Sequence, residues 1–130
     1  MKPQNKVQIR VLIADDEVEF ITTLGARLKL RGFETTTVSS GIAALKVIEQ
    51  DPPDVLVLDL KMPDLNGLEV LAKVKEDFPA IEVIMLTGHG SFEAGKEGRE
   101  QGAFDYIMKP VNLNQLIGKI EEAYLQGKAK

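Results

Sequence analysis

The 130-residue chain has no cysteine, no tryptophan and a single histidine, His89. The absent thiols exclude disulfides, thiolate catalysis and cysteine-bound zinc. One imidazole excludes a histidine pair and a histidine-rich metal site. Basic residues are the minority, 16 against 20 acidic ones, for a net charge of -4. Direct nucleic-acid binding wants a basic face, so that partner class is not expected. No apolar run approaches the ~20 residues of a membrane span, and no signal-type apolar segment opens the chain. The expectation is a cytoplasmic protein with no membrane partner. There is no internal repeat, no low-complexity tract and no linker to a second unit. Residues 1–130 therefore read as one domain, with a structured core over about 8–125 and frayed ends.

What the chain does have is short apolar runs in a globular composition of 44% hydrophobic and 28% charged residues. Val55-Leu56-Val57-Leu58, between Asp54 and Asp59, reads as a strand buried on both faces. It runs directly into Asp59 and the turn sequence Leu60-Lys61-Met62-Pro63-Asp64-Leu65-Asn66-Gly67. In open parallel sheets the carboxyl ends of the strands face the ligand crevice. Taken alone, Asp59 could be no more than a turn former.

The other strands change that reading. Ile9–Ala14 ends in Asp15, Asp16 and Glu17, where helix capping is the plain alternative. Ile81–Leu86 delivers Thr87, then Gly88-His89-Gly90, and Ala103–Met108 ends at Lys109-Pro110. Phe33–Val38 is β-prone but polar, which suits an edge strand. Helical spacing follows each strand. Ile21, Leu24 and Leu28 precede Gly32, and Ser39 or Ser40 caps a helix carrying Ile42, Leu45, Val47 and Ile48. Leu68, Leu71, Val74 and Phe78 form a stripe stopped by Pro79, and Leu113, Leu116, Ile117, Ile120 and Tyr124 mark the clearest amphipathic helix. Five strand-then-helix units with right-handed crossovers predict a three-layer α/β/α sandwich around a parallel sheet.

The strand ends together present Asp15 and Asp16, Asp59, Thr87 and Lys109. Three converging carboxylates repel one another unless one is protonated or a cation joins them. A few hard oxygen ligands with room for water and phosphate oxygens suit Mg²⁺. Carboxylates, a divalent cation, a lysine and a short hydroxyl donor make a kit for handling a phosphoryl group.

The chain resembles the receiver domain of bacterial two-component response regulators. The resemblance lies in Val11-Leu12-Ile13-Ala14-Asp15-Asp16-Glu17, Val57-Leu58-Asp59-Leu60-Lys61-Met62-Pro63, Leu86-Thr87-Gly88-His89-Gly90 and Gly102-Ala103-Phe104-Asp105-Tyr106-Ile107-Met108-Lys109-Pro110. It implies a flavodoxin-like sheet of order 2-1-3-4-5. It also implies that Asp59 accepts a phosphoryl group from a phosphohistidine on a sensor histidine kinase or phosphotransfer protein. Asp15, Asp16, Asp59 and the backbone carbonyl of Lys61 would serve Mg²⁺, with Asp15 acting through water. Thr87 would bond the phosphoryl oxygens, Lys109 would pair with them, and Tyr106 would be the aromatic switch. The fourth helix, fifth strand and fifth helix would form the output face, a possible phosphorylation-dependent homodimer surface. The implied protein is a regulatory switch and not an enzyme acting on other substrates. The Lys109–Pro110 bond would be cis, which is cheap only before proline. Lys61 and His89 would overhang the phosphoryl group and tune water access.

Three rival readings compete. A Mg²⁺-dependent aspartyl-phosphate phosphatase of the haloacid-dehalogenase type wants a carboxylate two residues after the nucleophile, where this chain has Lys61, and usually a cap domain. A flavodoxin wants a hydroxyl- and glycine-rich phosphate loop, where Asp15-Asp16-Glu17 would repel the anion. A degenerate receiver acting only as a scaffold would have lost the acidic set, which is intact here. One further expectation is local. The segment 91–101 has Phe92 as its only large apolar residue and two internal glycines, Gly95 and Gly98. Each glycine costs about 0.8–1.0 kcal/mol against alanine in a helix, so this helix is predicted to be the least stable, unless the glycines serve close packing.

Overall fold

The computed structural model describes residues 8–88 and 92–129. His89 lies outside them. The order of elements is β1 (Arg10–Ala14), α1 (Val18–Leu30), β2 (Glu34–Val38), α2 (Gly41–Gln50), β3 (Val55–Asp59), α3 (Gly67–Asp77), β4 (Glu82–Thr87), α4 (Phe92–Glu100), β5 (Asp105–Met108) and α5 (Leu113–Lys128). The five strands are parallel and ordered β2-β1-β3-β4-β5. The expected sandwich and strand order are both present.

Alternating side chains divide the core into two layers, as strand geometry requires. Val11, Ile13, Val55, Val57, Ile84 and Leu86 face Leu24 and Leu28 of α1 and Leu116 and Ile120 of α5. Leu12, Leu56, Leu58, Val83 and Met85 face Ala44 and Ile48 of α2 and Leu71 and Val74 of α3. β3 is buried along its whole length, whereas β2, at the edge, buries only Thr35. That contrast is the one read from their apolar and polar sequences.

Helix boundaries follow local chemistry. The Ser40 side chain accepts from the N–H of Ala43 and caps α2. Asn66 and Glu69 form a reciprocal capping box at the start of α3. α5 runs to Lys128, one turn beyond the Leu113–Tyr124 stripe, and bare Gly127 lets that turn approach the chain at Ala80 and Glu82. Glu17 occupies the N-cap position of α1 with no side-chain capping hydrogen bond, so helix capping does not account for the acidic residues there.

The two glycines of α4 depart from the expectation that they simply weaken it. Both are buried. A Cβ on Gly95 would stand 2.9 Å from Cγ2 of Thr87, and one on Gly98 would stand 3.1 Å from Cγ of Met85. They are close-packing positions, so alanine at Gly95 would meet a clash where helix propensity alone predicts a gain.

Candidate functional site

Register brings the site together. Ala14 pairs with Leu58, so the residues that follow them, Asp15 and Asp59, emerge side by side at the carboxyl ends of β1 and β3. Asp59 pairs with Leu86, and Thr87 pairs with Met108, which places Thr87 and Lys109 next in line. The Lys109 N–H donates to the Thr87 carbonyl at 2.8 Å, tying those two strand ends together.

The loop after Asp59 is held from two sides. The Asp64 carboxylate accepts from the N–H groups of Gly41, Ile42 and Leu65 at 2.8–3.0 Å. Those donors, Ile42 first, hold its pKa down at about 2. Gly67 seats the start of α3 against the strand end. Its N–H reaches the Leu60 carbonyl at 2.7 Å, and a Cβ there would lie 2.5 Å from the Asp59 carbonyl oxygen. No side chain fits, so glycine at this position sets how closely α3 approaches Asp59.

The acidic set is compact. Asp15, Asp16 and Asp59 each offer one carboxylate oxygen, all within 4.8 Å of one another. Asp15 is 0% exposed and Asp59 6% exposed, while Asp16 faces solvent. Among the described residues, one cation pairs with Asp15, Asp59 and the neighbouring Glu17. Lys109 Nζ lies 2.8 Å from Asp15 Oδ2, 2.6 Å from Glu17 Oε1 and 3.6 Å from Asp59 Oδ1. Its ammonium also sits 5.0 Å from the centre of the Phe20 ring. Burial would lower the lysine's pKa, but hydrogen bonds to Asp15 and Glu17 and the charge of Asp59 outweigh it and raise the pKa.

The lysine does not relieve the whole cluster. Burial first, and then the charge of Asp15, push the Asp59 carboxyl up to about 6, against the opposing field of Lys109 and the Lys61 N–H. Asp15 Oδ1 accepts from the Glu17 N–H at 2.9 Å, and its buried Oδ2 faces the Lys109 ammonium. Three carboxylates this close together, two of them paired to one ammonium, fit a hard divalent cation. Asp16, Glu17, Asp59, Lys61, Gly88 and Lys109 surround an open crevice of about 350 Å³ at this point.

Thr87 is fully buried, and among the described residues its hydroxyl makes only a long contact, 3.5 Å, to the Ile107 carbonyl. Tyr106 is half-buried, with its ring against α4 at Gly95. Lys61 is exposed at the crevice rim, and the Lys109–Pro110 bond is cis. The fold thus gathers Asp15, Asp16, Asp59, Lys61, Thr87 and Lys109 at one end of the sheet, with Tyr106 one contact away. Sequence reasoning gave no role to Glu17 or Phe20 and read Asp64 and Gly67 only as turn formers. Glu17 carried a signal as a third acidic residue in a row.

Comparison with known proteins agrees with this arrangement. Residues 11–121 match the response regulator receiver domain family. A putative NtrX-like response regulator of Rickettsia typhi is 37% identical over 118 residues, covering 89% of this chain and 25% of the relative. The DNA-binding transcriptional regulator NtrC of Escherichia coli K12 is 33% identical over 113 residues, covering 87% of this chain and 24% of the relative. The chain therefore spans about a quarter of the length of these curated relatives. Among solved structures, a response regulator receiver domain protein from Clostridium thermocellum superposes with a TM-score of 0.89 at 32% identity, covering 93% of this chain and 98% of that one. NtrX from Brucella abortus in complex with ADP gives a TM-score of 0.89 at 31% identity, over 95% of this chain and 28% of that one. With matching motifs, strand order and relatives, the chain belongs to the response regulator receiver domain family of two-component systems.

Proposed function

We propose that this receiver is a phosphorylation-dependent switch whose acceptor is Asp59. The observation that carries this reading is the position of Asp59 at the end of the central strand, nearly buried, beside two more carboxylates and 3.6 Å from Lys109. A carboxylate oxygen of Asp59 attacks phosphorus in a phosphoimidazole of a histidine kinase or phosphotransfer protein. The P–N bond breaks, and the imidazole leaves with the electron pair and takes up a proton. Lys109 neutralises charge on the transferred group, and the Thr87 hydroxyl turns from its long contact with Ile107 toward the phosphoryl oxygens.

Asp15, Asp16, Asp59 and the Lys61 carbonyl would hold Mg²⁺, which when bound neutralises the carboxylates and polarises the phosphoryl oxygens. Tyr106, whose ring meets α4 at Gly95 as the Thr87 methyl does, carries the change to the face formed by α4, β5 and α5. On that face Asp105 holds Lys119 of α5 at 2.8 Å and Arg99 of α4 at 3.9 Å. Output, including homodimerisation through this face, follows from its rearrangement. Modification of Asp59 is an event of the chain's own regulation and not turnover of a separate substrate. Among the described residues no helix is long and apolar enough to cross a membrane.

The test is incubation with Mg²⁺ and acetyl phosphate, read by intact mass and peptide mapping. One labile phosphoryl group on Asp59, absent in Asp59→Asn, is expected. Undiminished labelling of Asp59→Asn overturns the assignment. Sustained hydrolysis of varied phosphate esters would identify a phosphatase instead.

A further inference from the structure

Three glycines inside helices meet very different surroundings. A Cβ on Gly118 of α5 finds nothing within 4 Å, and one on Gly98 of α4 comes 3.1 Å from the flexible Met85 side chain. On Gly95 it comes 2.9 Å from Cγ2 of Thr87 and 3.0 Å from both Cγ and Cδ2 of Tyr106. Neither neighbour at Gly95 can easily give way. Thr87 is β-branched and fully buried, with its backbone paired to Met108 of β5 and its carbonyl bonded by the Lys109 N–H. Cγ is the root of the Tyr106 ring, so clearing it requires rotation of χ1 and movement of the whole ring.

We propose that Gly95 is a positioning residue of the switch: the point where the α4 backbone rests directly on the Thr87 methyl and the root of the Tyr106 ring. No side chain lies between them to absorb a displacement. When Thr87 shifts, or Tyr106 changes rotamer, α4 moves in the same step, because close-packed interiors transmit strain. Gly95 touches no reacting atom. The inference rests on the reading of Asp59 as acceptor, since that modification is what draws Thr87.

The test compares Gly95→Ala, Gly98→Ala and Gly118→Ala in the full chain. Gly118→Ala should lower the unfolding equilibrium constant about fourfold through helix propensity alone. Gly95→Ala should raise it about tenfold or more, because the clash outweighs propensity. Thr87→Ser keeps the hydroxyl and removes the methyl that the new Cβ meets. It should cost less stability in the Gly95→Ala background than in wild type, a coupling that additive effects would not produce. The second readout is amide hydrogen exchange of residues 92–100 with and without Mg²⁺ and beryllofluoride. Wild type should change on activation, and Gly118→Ala should match it. Gly95→Ala should show α4 already displaced without activator, with a smaller further response. If Gly95→Ala gains stability as Gly118→Ala does, or answers activator as wild type does, the proposal is overturned. If wild type itself shows no bound beryllofluoride and no response, the Asp59 reading fails, and the coupling falls with it.

Discussion

The two ends of the sheet treat buried charge in opposite ways. At the amino end, the Arg10 guanidinium lies between Asp51 and Glu34 and donates to the Pro52 carbonyl. The Asp54 carboxylate accepts the Arg10 N–H at 2.9 Å. Lys75 donates to the carbonyls of Pro79 and Ile81 and lies 3.9 Å from Glu82, which is 2% exposed. At the carboxyl end, Asp15, Asp16, Glu17 and Asp59 crowd around Lys109. One end settles its charges within the chain. The other crowds its carboxylates together and keeps one of them, Asp59, with a raised pKa. The same fold thus combines an end whose charges are paired with one whose charges are strained, and substitutions at the two ends should differ in sign.

The largest effect is expected at the amino end. Lys75→Met removes the ammonium that two carbonyls and Glu82 share, and breaking a buried ion pair costs about 3–5 kcal/mol. Urea unfolding at neutral pH should show that loss. A change of under about 1 kcal/mol would mean that this end does not depend on its charges, and the contrast would fail.

Asp59→Asn should move stability the other way. The folded state binds the Asp59 proton more tightly than the unfolded chain, because its pKa is raised from 3.8 to about 6. Relative stability is therefore fully present below pH ~4 and is lost as pH rises through about 6. By pH 7.5 the carboxylate costs up to about 3 kcal/mol, at 1.36 kcal/mol per pH unit. In chelator, the variant should be more stable than wild type at pH 7.5 and should lose that advantage by pH 4. A constant difference across that range would mean that charge is not the cause. Groups with depressed pKa values, such as Asp105, are common to both proteins and cancel in the difference.

These contrasts also show what the sequence could and could not disclose. Strand runs such as Val55–Leu58 were legible because a parallel sheet buries both faces and needs unbroken apolar residues. Asp15, Asp16, Asp59, Thr87 and Lys109 were legible because each ends such a run, and parallel topology brings strand ends together. Glu17, Phe20 and Asp64 were not, because their roles depend on where one lysine ammonium and two N–H groups of α2 sit in space. Gly95 and Gly98 were weighed by helix propensity, which is a property of an isolated helix. Contact with Thr87, Tyr106 and Met85 is tertiary and leaves no mark in local sequence.

A smaller effect is expected where the loop after Asp59 is clamped. Asp64 joins that loop to the first turn of α2, and its pKa of about 2 means that the carboxylate's contribution is lost only as pH falls toward that value. Asp64→Ala should accelerate amide exchange at Gly41, Ile42 and Leu65 while leaving β3 protected. Unchanged exchange at those three amides would remove Asp64 from the account of how Asp59 is positioned.

The smallest stability change belongs to Asp16→Asn, and it separates the two causes of strain at Asp59. Asp16 is exposed, and its charge ranks below both burial and the charge of Asp15 in raising the Asp59 pKa. Solvent screens such a charge, so removing it should stabilise the metal-free protein by only a few tenths of a kcal/mol. Asp59→Asn removes the buried charge itself and should gain several times more. Both variants should lose stabilisation by added Mg²⁺, which in wild type grows with the ratio of free ion to its dissociation constant. Denaturation midpoints of the three proteins, in chelator and in Mg²⁺, decide the matter. Equal gains at the two positions would make mutual repulsion the dominant strain. A gain confined to Asp59→Asn would place that strain in burial of the Asp59 carboxylate.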